Sequence, residues 1–312
     1  MGNMVTPPVT GLAGTTKVQS AAGNVVVAAF FEKETSTLSY VVHDERTRDA
    51  VIVDPVLDYD PAACVTAEKS VQLLVDYAKS HDLHVQMLLE THAHADHLSA
   101  AQALRRHFPR AKLTIGARIV EVQRLFRDIY GFESWFTPDG HQFDQLVKDG
   151  EIVRAGSMEF RNINTPGHTP ACSTWLLNGV AAFTGDSMFI PDSGTGRCDF
   201  PGGSATDMYD SIVNKIYTLP DETLLFVGHD YQPGGRELRW QTTVGEAKAS
   251  NIQLKAGTSR EKYIEFRTAR DKILSAPRLL HPSVQVNINA GELPKPDDKG
   301  RRFIRMPLHV RL

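Results

Sequence analysis

The chain has 312 residues, 41% apolar and 23% charged, with 34 basic against 37 acidic side chains and a formal net charge of −3. That length and apolar share predict one large domain, or one domain with an elaborated end. The balanced charge, with no dense basic block, argues against an extended nucleic-acid surface. No apolar run reaches the roughly 18 residues of a membrane-spanning helix. The opening "MGNMVTPPVTGLAG" lacks the basic-then-apolar pattern of a secretory signal. Cys64, Cys172 and Cys198 form no CxxC pair and no disulfide framework, so a reducing, cytoplasmic setting is expected.

In chain order, "NVVVAAFFE", "TLSYVVHDE" and "DAVIVDPV" are short β-branched and aromatic runs between polar turns, predicting a meander built early into a sheet. "TAEKSVQLLVDYAKSHDL" follows, with Val71, Leu73, Leu74 and Tyr77 on one helical face. "HVQMLLET" reads as a strand and "HLSAAQALRRHF" as a helix. The pattern repeats with "AKLTIGA", "RIVEVQRLFRDIY" and an irregular connection over 131–143. Further strands are expected in "IVRAGSMEFRNINTPGHT", "STWLLNGVAAFTGD" and "ETLLFVGHDY", with a helix in "DMYDSIVNKIYTL". Beyond about Gly235 the chain turns charged and helical, then rich in Pro, Gly and Asn. Residues 1–235 are read as a catalytic domain and 236–312 as an extension packed on it, with "KPDDKGRR" a solvated loop.

Four apolar strands end in groups that can ligate a metal. His92, His94, Asp96 and His97 stand within "THAHADH", between a strand and a helix. A neutral imidazole offers a nitrogen lone pair near neutral pH, and Asp adds charge to hold a cation. Packing four such groups together with no cation would strand several desolvated polar atoms. His168 follows Pro166 and Gly167, Asp186 follows "FTG", and His229 follows "LLFVG". Loops beyond strand ends are where sites collect in layered α/β folds.

"THAHADH", "TPGHT", "FTGD" and "VGHD" together resemble the metallo-β-lactamase superfamily over roughly residues 20–235. The resemblance implies an α/β fold of the αββα sandwich type, with a metal site at one edge of two sheets. The stretch "GTGRCDF" at 194–200, with the helix and "GHDY" that follow, is similar to the persulfide dioxygenases, a branch related to glyoxalase II. That branch implies one Fe(II) per chain, held by His92, His168 and Asp186. His94, Asp96, His97 and His229 match positions that hold one or two Zn(II) in glyoxalase II relatives; beside iron they would orient ligands, substrate or water. Two His and one carboxylate on one face are also the pattern that leaves adjacent iron positions open.

The implied reaction joins glutathione persulfide or a similar small persulfide with O2 and water, giving sulfite and glutathione. The competing expectation is a zinc hydrolase of the hydroxyacylglutathione type using the same seven residues, with Asp186 between two metals. Arg197 is expected to grip a substrate carboxylate, or else to fix its loop through Asp199 or Asp192. Tyr231 is expected to offer a hydroxyl beside the metal, or else to pack on the extension. Tyr231, Arg197 and His229 complete the expected catalytic set. No nucleic acid or membrane partner is expected, and a homodimer is plausible.

Overall fold

The computed structural model describes residues 10–21 and 23–308; the opening "MGNMVTPPV", where no leader is expected, lies outside them. A seven-stranded sheet runs, in spatial order, Gly11–Ser20, Gly23–Glu32, Thr37–Asp44, Asp49–Val53, His84–Leu89, Lys112–Gly116 and Gln145–Val147. A six-stranded sheet runs Ile152–Ala155, Met158–Asn164, Ser173–Leu177, Ala181–Gly185, Leu224–Val227 and Gln241–Thr243. The opening strands pair antiparallel, as a meander does. From Asp49 onward the pairs with His84–Leu89, Lys112–Gly116 and Gln145–Val147 are parallel, which requires the intervening crossovers. The second sheet has one parallel pair, Ala181–Gly185 with Leu224–Val227, crossed over by the helix Ala205–Asn214.

Strands buried on both faces explain the unbroken apolar runs. Leu88 faces the helices Lys69–Ser80 and Ile119–Tyr130, packing with Leu74, Ile52 and Phe126. Leu89, one residue on, faces the other sheet with Tyr40, Trp175, Phe183 and Phe226. On the outer side of the second sheet, Leu176, Ala182 and Leu225 pack on Met208, Ile212 and Tyr263. The layers are therefore helix, sheet, sheet, helix. In the helix Lys69–Ser80, Val71, Leu74 and Tyr77 are buried as their spacing predicts, while Leu73 is only half-buried.

Several strands fall outside the sequence expectation, among them Val65–Ala67, Leu98–Ser99, Gln145–Val147 and the two that follow. Gly11–Ser20 is an edge strand whose Gly- and Thr-rich sequence carries little strand signal, and Gln241–Thr243 is a three-residue edge strand contributed from beyond Gly235. Past that strand come the helices Val244–Ser250, Arg260–Asp271 and Leu280–Asn287. The "KPDDKGRR" segment is exposed, with Asp297 accepting from the backbone of Lys299 and Arg301. No helix among the described residues is long and apolar enough to cross a membrane. Cys64 is exposed, Cys172 and Cys198 are buried, and all three are free thiols.

Candidate metal centre

The parallel strands deliver the donors. Asp49–Val53 ends at Asp54, His84–Leu89 opens into the loop with His92, Ala181–Gly185 ends at Asp186, and Leu224–Val227 is followed by His229. His168 comes from the connection between two antiparallel strands, Met158–Asn164 and Ser173–Leu177. Two glycines make the convergence possible. At Gly167, φ is +150° and an added Cβ would lie 2.5 Å from the Met208 backbone; at Gly196 it would lie 2.0 Å from the Asp186 carbonyl oxygen. The glycines in "TPGHT" and "GTGR" are thus close-approach positions around the candidate donors.

His92, His168 and Asp186 form one set of donor atoms within 4.8 Å of one another, and His94, Asp96 and His97 form another. Asp186 of the first set reaches His229 as well as His168. Its Oδ2 is 3.6 Å from His168 Nε2, and its Oδ1 is 3.4 Å from His229 Nε2. His229 Nε2 is also 3.2 Å from Asp96 Oδ2. His92 Nε2, His94 Nδ1, Asp96 Oδ2, His97 Nε2, Asp186 Oδ1 and His229 Nε2 are buried with no hydrogen-bond partner. Orphaned lone pairs on this scale are costly without a cation, so the donor set fits a bound metal.

Four of the rings, His92, His97, His168 and His229, have a hydrogen-bond partner behind them, and His94 has the Asp54 carboxylate nearby. His168 Nδ1–H donates to the Arg197 carbonyl at 2.8 Å, leaving Nε2 as the lone-pair nitrogen. His229 Nδ1–H donates to the Ser36 carbonyl at 3.2 Å. His92 Nδ1 is 3.0 Å from Thr91 Oγ1, which donates to Asp54, and Asp54 Oδ1 is 3.1 Å from His94 Nε2. Thr37 Oγ1 lies 3.4 Å from both His97 Nδ1 and His229 Nδ1.

Burial, then the neighbouring imidazoles, holds His92 and His94 well below the usual histidine range, which keeps them neutral for ligation. Burial opposes ionisation of Asp96, yet the His229 and His97 charges bring it well below the ordinary carboxylate range. Burial alone would lower His229; Asp186 and Asp96 outweigh it and raise the group. Behind the site, burial and then Asp54 push Glu90 well up.

A cavity of about 420 Å³ opens onto His168, Asp186 and Asp96. Arg197 and Tyr231 line it, so the structure brings both beside the donors. The Arg197 guanidinium is forked onto Asp199, with both contacts at 2.6 Å, and donates to the Ser275 carbonyl at 2.7 Å. Tyr231 is 56% exposed and its ring stacks on His229 with centroids 5.5 Å apart. The extension supplies the facing wall, including Arg270, Leu274 and Arg278. Asp54, Thr91, Thr37 and Asn287 escaped the sequence reading. Asp54 alone carried a usable signal, as an acid directly after "AVIV", the same strand-end position that marks Asp186.

A four-layered sandwich with a buried His/Asp donor set at the ends of its strands defines a metal-dependent enzyme. The family model described as "Metallo-beta-lactamase superfamily" matches residues 33–229, and the chain belongs to that superfamily. It is 45% identical over 284 residues to the "Beta-lactamase hydrolase-like protein" of Agrobacterium fabrum, covering 91% of this chain and 65% of that protein. The chain thus spans about two-thirds of the length of such relatives. It is 32% identical over 269 residues to "Persulfide dioxygenase ETHE1, mitochondrial" of Bos taurus, covering 86% of this chain and 89% of that one. The crystal structure of ETHE1 from Myxococcus xanthus superposes with a TM-score of 0.68 at 32% identity, covering 85% of this chain and 99% of that chain. Relatives therefore span hydrolase-like and persulfide-dioxygenase branches.

Proposed function

We propose that the chain is a metal-dependent hydrolase acting on a thioester of glutathione or a similar anionic thiol. One observation carries this over the persulfide reaction first implied by "GTGRCDF": Asp186 turns one oxygen toward His168 and the other toward His229, which in turn meets Asp96, and unpaired buried donor atoms lie on both sides of it. His92, His168 and Asp186 would hold one ion; His97, Asp96 and His229 would hold a second beside the shared Asp186. Divalent ions in such sites supply Lewis acidity toward a carbonyl and lower the pKa of water. The hydrolase-like name of the relative at 45% identity supports the same reading.

The protein's own residues then orient and shield. The Arg197 carbonyl fixes His168, while its guanidinium, tied to Asp199 and Ser275, holds the cavity wall. Tyr231, exposed beside His229, presents its hydroxyl to a ligand in the cavity. The guanidinium groups of Arg270 and Arg278 make no ion pair or hydrogen bond among the described residues and would supply counter-charge at the mouth for remote carboxylates. The extension, 236–312, is in this view the substrate-facing wall of the 1–235 catalytic unit.

A second reading, persulfide oxidation at a single Fe(II), is favoured by the separate grouping of His92, His168 and Asp186 as two imidazoles and one carboxylate, and by the persulfide dioxygenase relative. The deciding experiment counts metals in protein purified without added metal, then measures S-lactoylglutathione hydrolysis and oxygen uptake with glutathione persulfide under zinc and iron loading. Hydrolysis with zinc and no oxygen uptake is expected. Oxygen uptake at one iron per chain, with no hydrolysis under either metal, would replace the hydrolase with the second reading.

A further inference from the structure

We infer that Asn287, the last residue of the helix Leu280–Asn287, is a positioning residue that holds the metal-binding loop in its ligating shape. The inference rests on the metal-centre reading above. Asn287 is buried, and its amide spends all of its main valences on one segment. Nδ2 donates to the His94 and His97 carbonyls, each at 2.8 Å, and Oδ1 accepts from the Ser99 backbone N–H at 2.8 Å. Only an amide, with two donors and an acceptor on one planar head, meets that request.

The segment needs such a clamp. From Glu90 to His97 the backbone has no regular structure; the Glu90 and Thr91 carbonyls are taken by Trp175 Nε1–H and the Ser173 N–H, and those of His94 and His97 by Asn287. Four candidate donor side chains converge there, and His92 Nε2, His94 Nδ1, Asp96 Oδ2 and His97 Nε2 are left with no hydrogen-bond partner of their own. Asn287 grips the loop through its main chain. It is itself fixed: just beyond it, the Ile288 carbonyl accepts from Gln123 Nε2 at 2.9 Å and the Ala290 carbonyl from Gln102 Nε2 at 3.1 Å. An added Cβ at Gly291, where φ is +78°, would lie 3.1 Å from the Ser99 carbonyl oxygen, so the turn after the helix also abuts the loop. A residue nearly 200 positions downstream of the ligands thereby becomes part of the metal site's scaffold.

Asn287→Asp keeps the shape and the acceptor for Ser99 but loses both donations and sets a carboxylate against two carbonyl oxygens. Asn287→Ser serves as a milder partner should the first fold poorly. Gln285→Ala is the control: Gln285 sits on the same helix and bonds the Arg305 backbone and the His281 carbonyl, with no contact to the loop. The full chain is loaded with Co(II), its absorption spectrum recorded, and cobalt transfer to a chelator followed, with thermal unfolding of the metal-free forms alongside. Both Asn287 variants are expected to weaken cobalt binding by about 10- to 100-fold and to alter the spectrum, while Gln285→Ala lowers the unfolding temperature only. Folded Asn287 variants that hold cobalt with the wild-type spectrum and rate overturn the inference, and so does a Gln285→Ala that releases cobalt equally fast. Wild-type protein that binds no cobalt defeats the metal-centre reading, and this inference with it; tight wild-type binding with unchanged variants defeats the inference alone.

Discussion

His43 stands on the strand Thr37–Asp44 with its Nε2 3.3 Å from the Tyr77 hydroxyl and its ring near His81, well away from the donor cluster in sequence. Burial first, and then the His81 charge, pulls its pKa below the ordinary imidazole value. The unfolded chain therefore takes up a proton below about pH 6.5 that the folded chain refuses, so stability is fully present above that value and declines as pH falls toward the folded pKa. His43→Leu is expected to flatten, without abolishing, the drop in thermal midpoint between about pH 7 and pH 5.5, because His92 and His94 contribute in the same direction. An identical slope in the variant would remove His43 from this account. Residue types and spacing mark His92, His168, Asp186 and His229 as candidate donors, and the structure brings them together. The partner of His168 was illegible, because it is the main-chain carbonyl of Arg197, and a main-chain atom has no residue-type signature. Arg197 was read for its guanidinium; its peptide group is the part that touches a ligand ring.

Among the elements, the His168 loop and the helix Ala205–Asn214 meet backbone to backbone. Gly167 → Ala puts a methyl group into the Met208 backbone at a φ that L side chains seldom adopt, so the helix must withdraw or the loop must turn. Overpacking of this kind costs roughly 1–3 kcal/mol, before the strain at positive φ is added. Chemical denaturation is expected to show that loss together with reduced metal content, since His168 moves with the loop. A variant of wild-type stability and full metal content would mean that the loop is free to yield. Strand and helix existence was legible wherever the periodicity was strong, as in "HVQMLL" and "VQLLVDYA". Edge strands such as Gly11–Ser20 and Gln241–Thr243 were not, because one side of an edge faces solvent or a loop and imposes little apolar pattern. The contribution of the helix Leu280–Asn287 to the site lay equally out of reach, since tertiary docking of a weakly amphipathic segment leaves no local signature.

At the scale of the whole molecule, the donors come from both sheets: the loop after His84–Leu89 in one, and His168, Asp186 and His229 in the other. Anything that binds only the folded form stabilises it by mass action, about 4 kcal/mol when free ligand exceeds its dissociation constant a thousandfold. Removing metal with a chelator is thus expected to lower the unfolding temperature of the full chain markedly, and re-adding the metal to restore it. No change on chelation would mean that the donors are satisfied without an ion. Because the candidate donors are shared across the seam, a bound ion would act as a rivet between two plates, not as a passenger in one. With the rivet out, each plate keeps its own ladder and its own helices, so hydrogen exchange should quicken first along the seam, near Asp54 and Gly228, while the outer helical faces stay slow. Control of metal supply would then govern how firmly the two halves close as well as whether the chemistry can run.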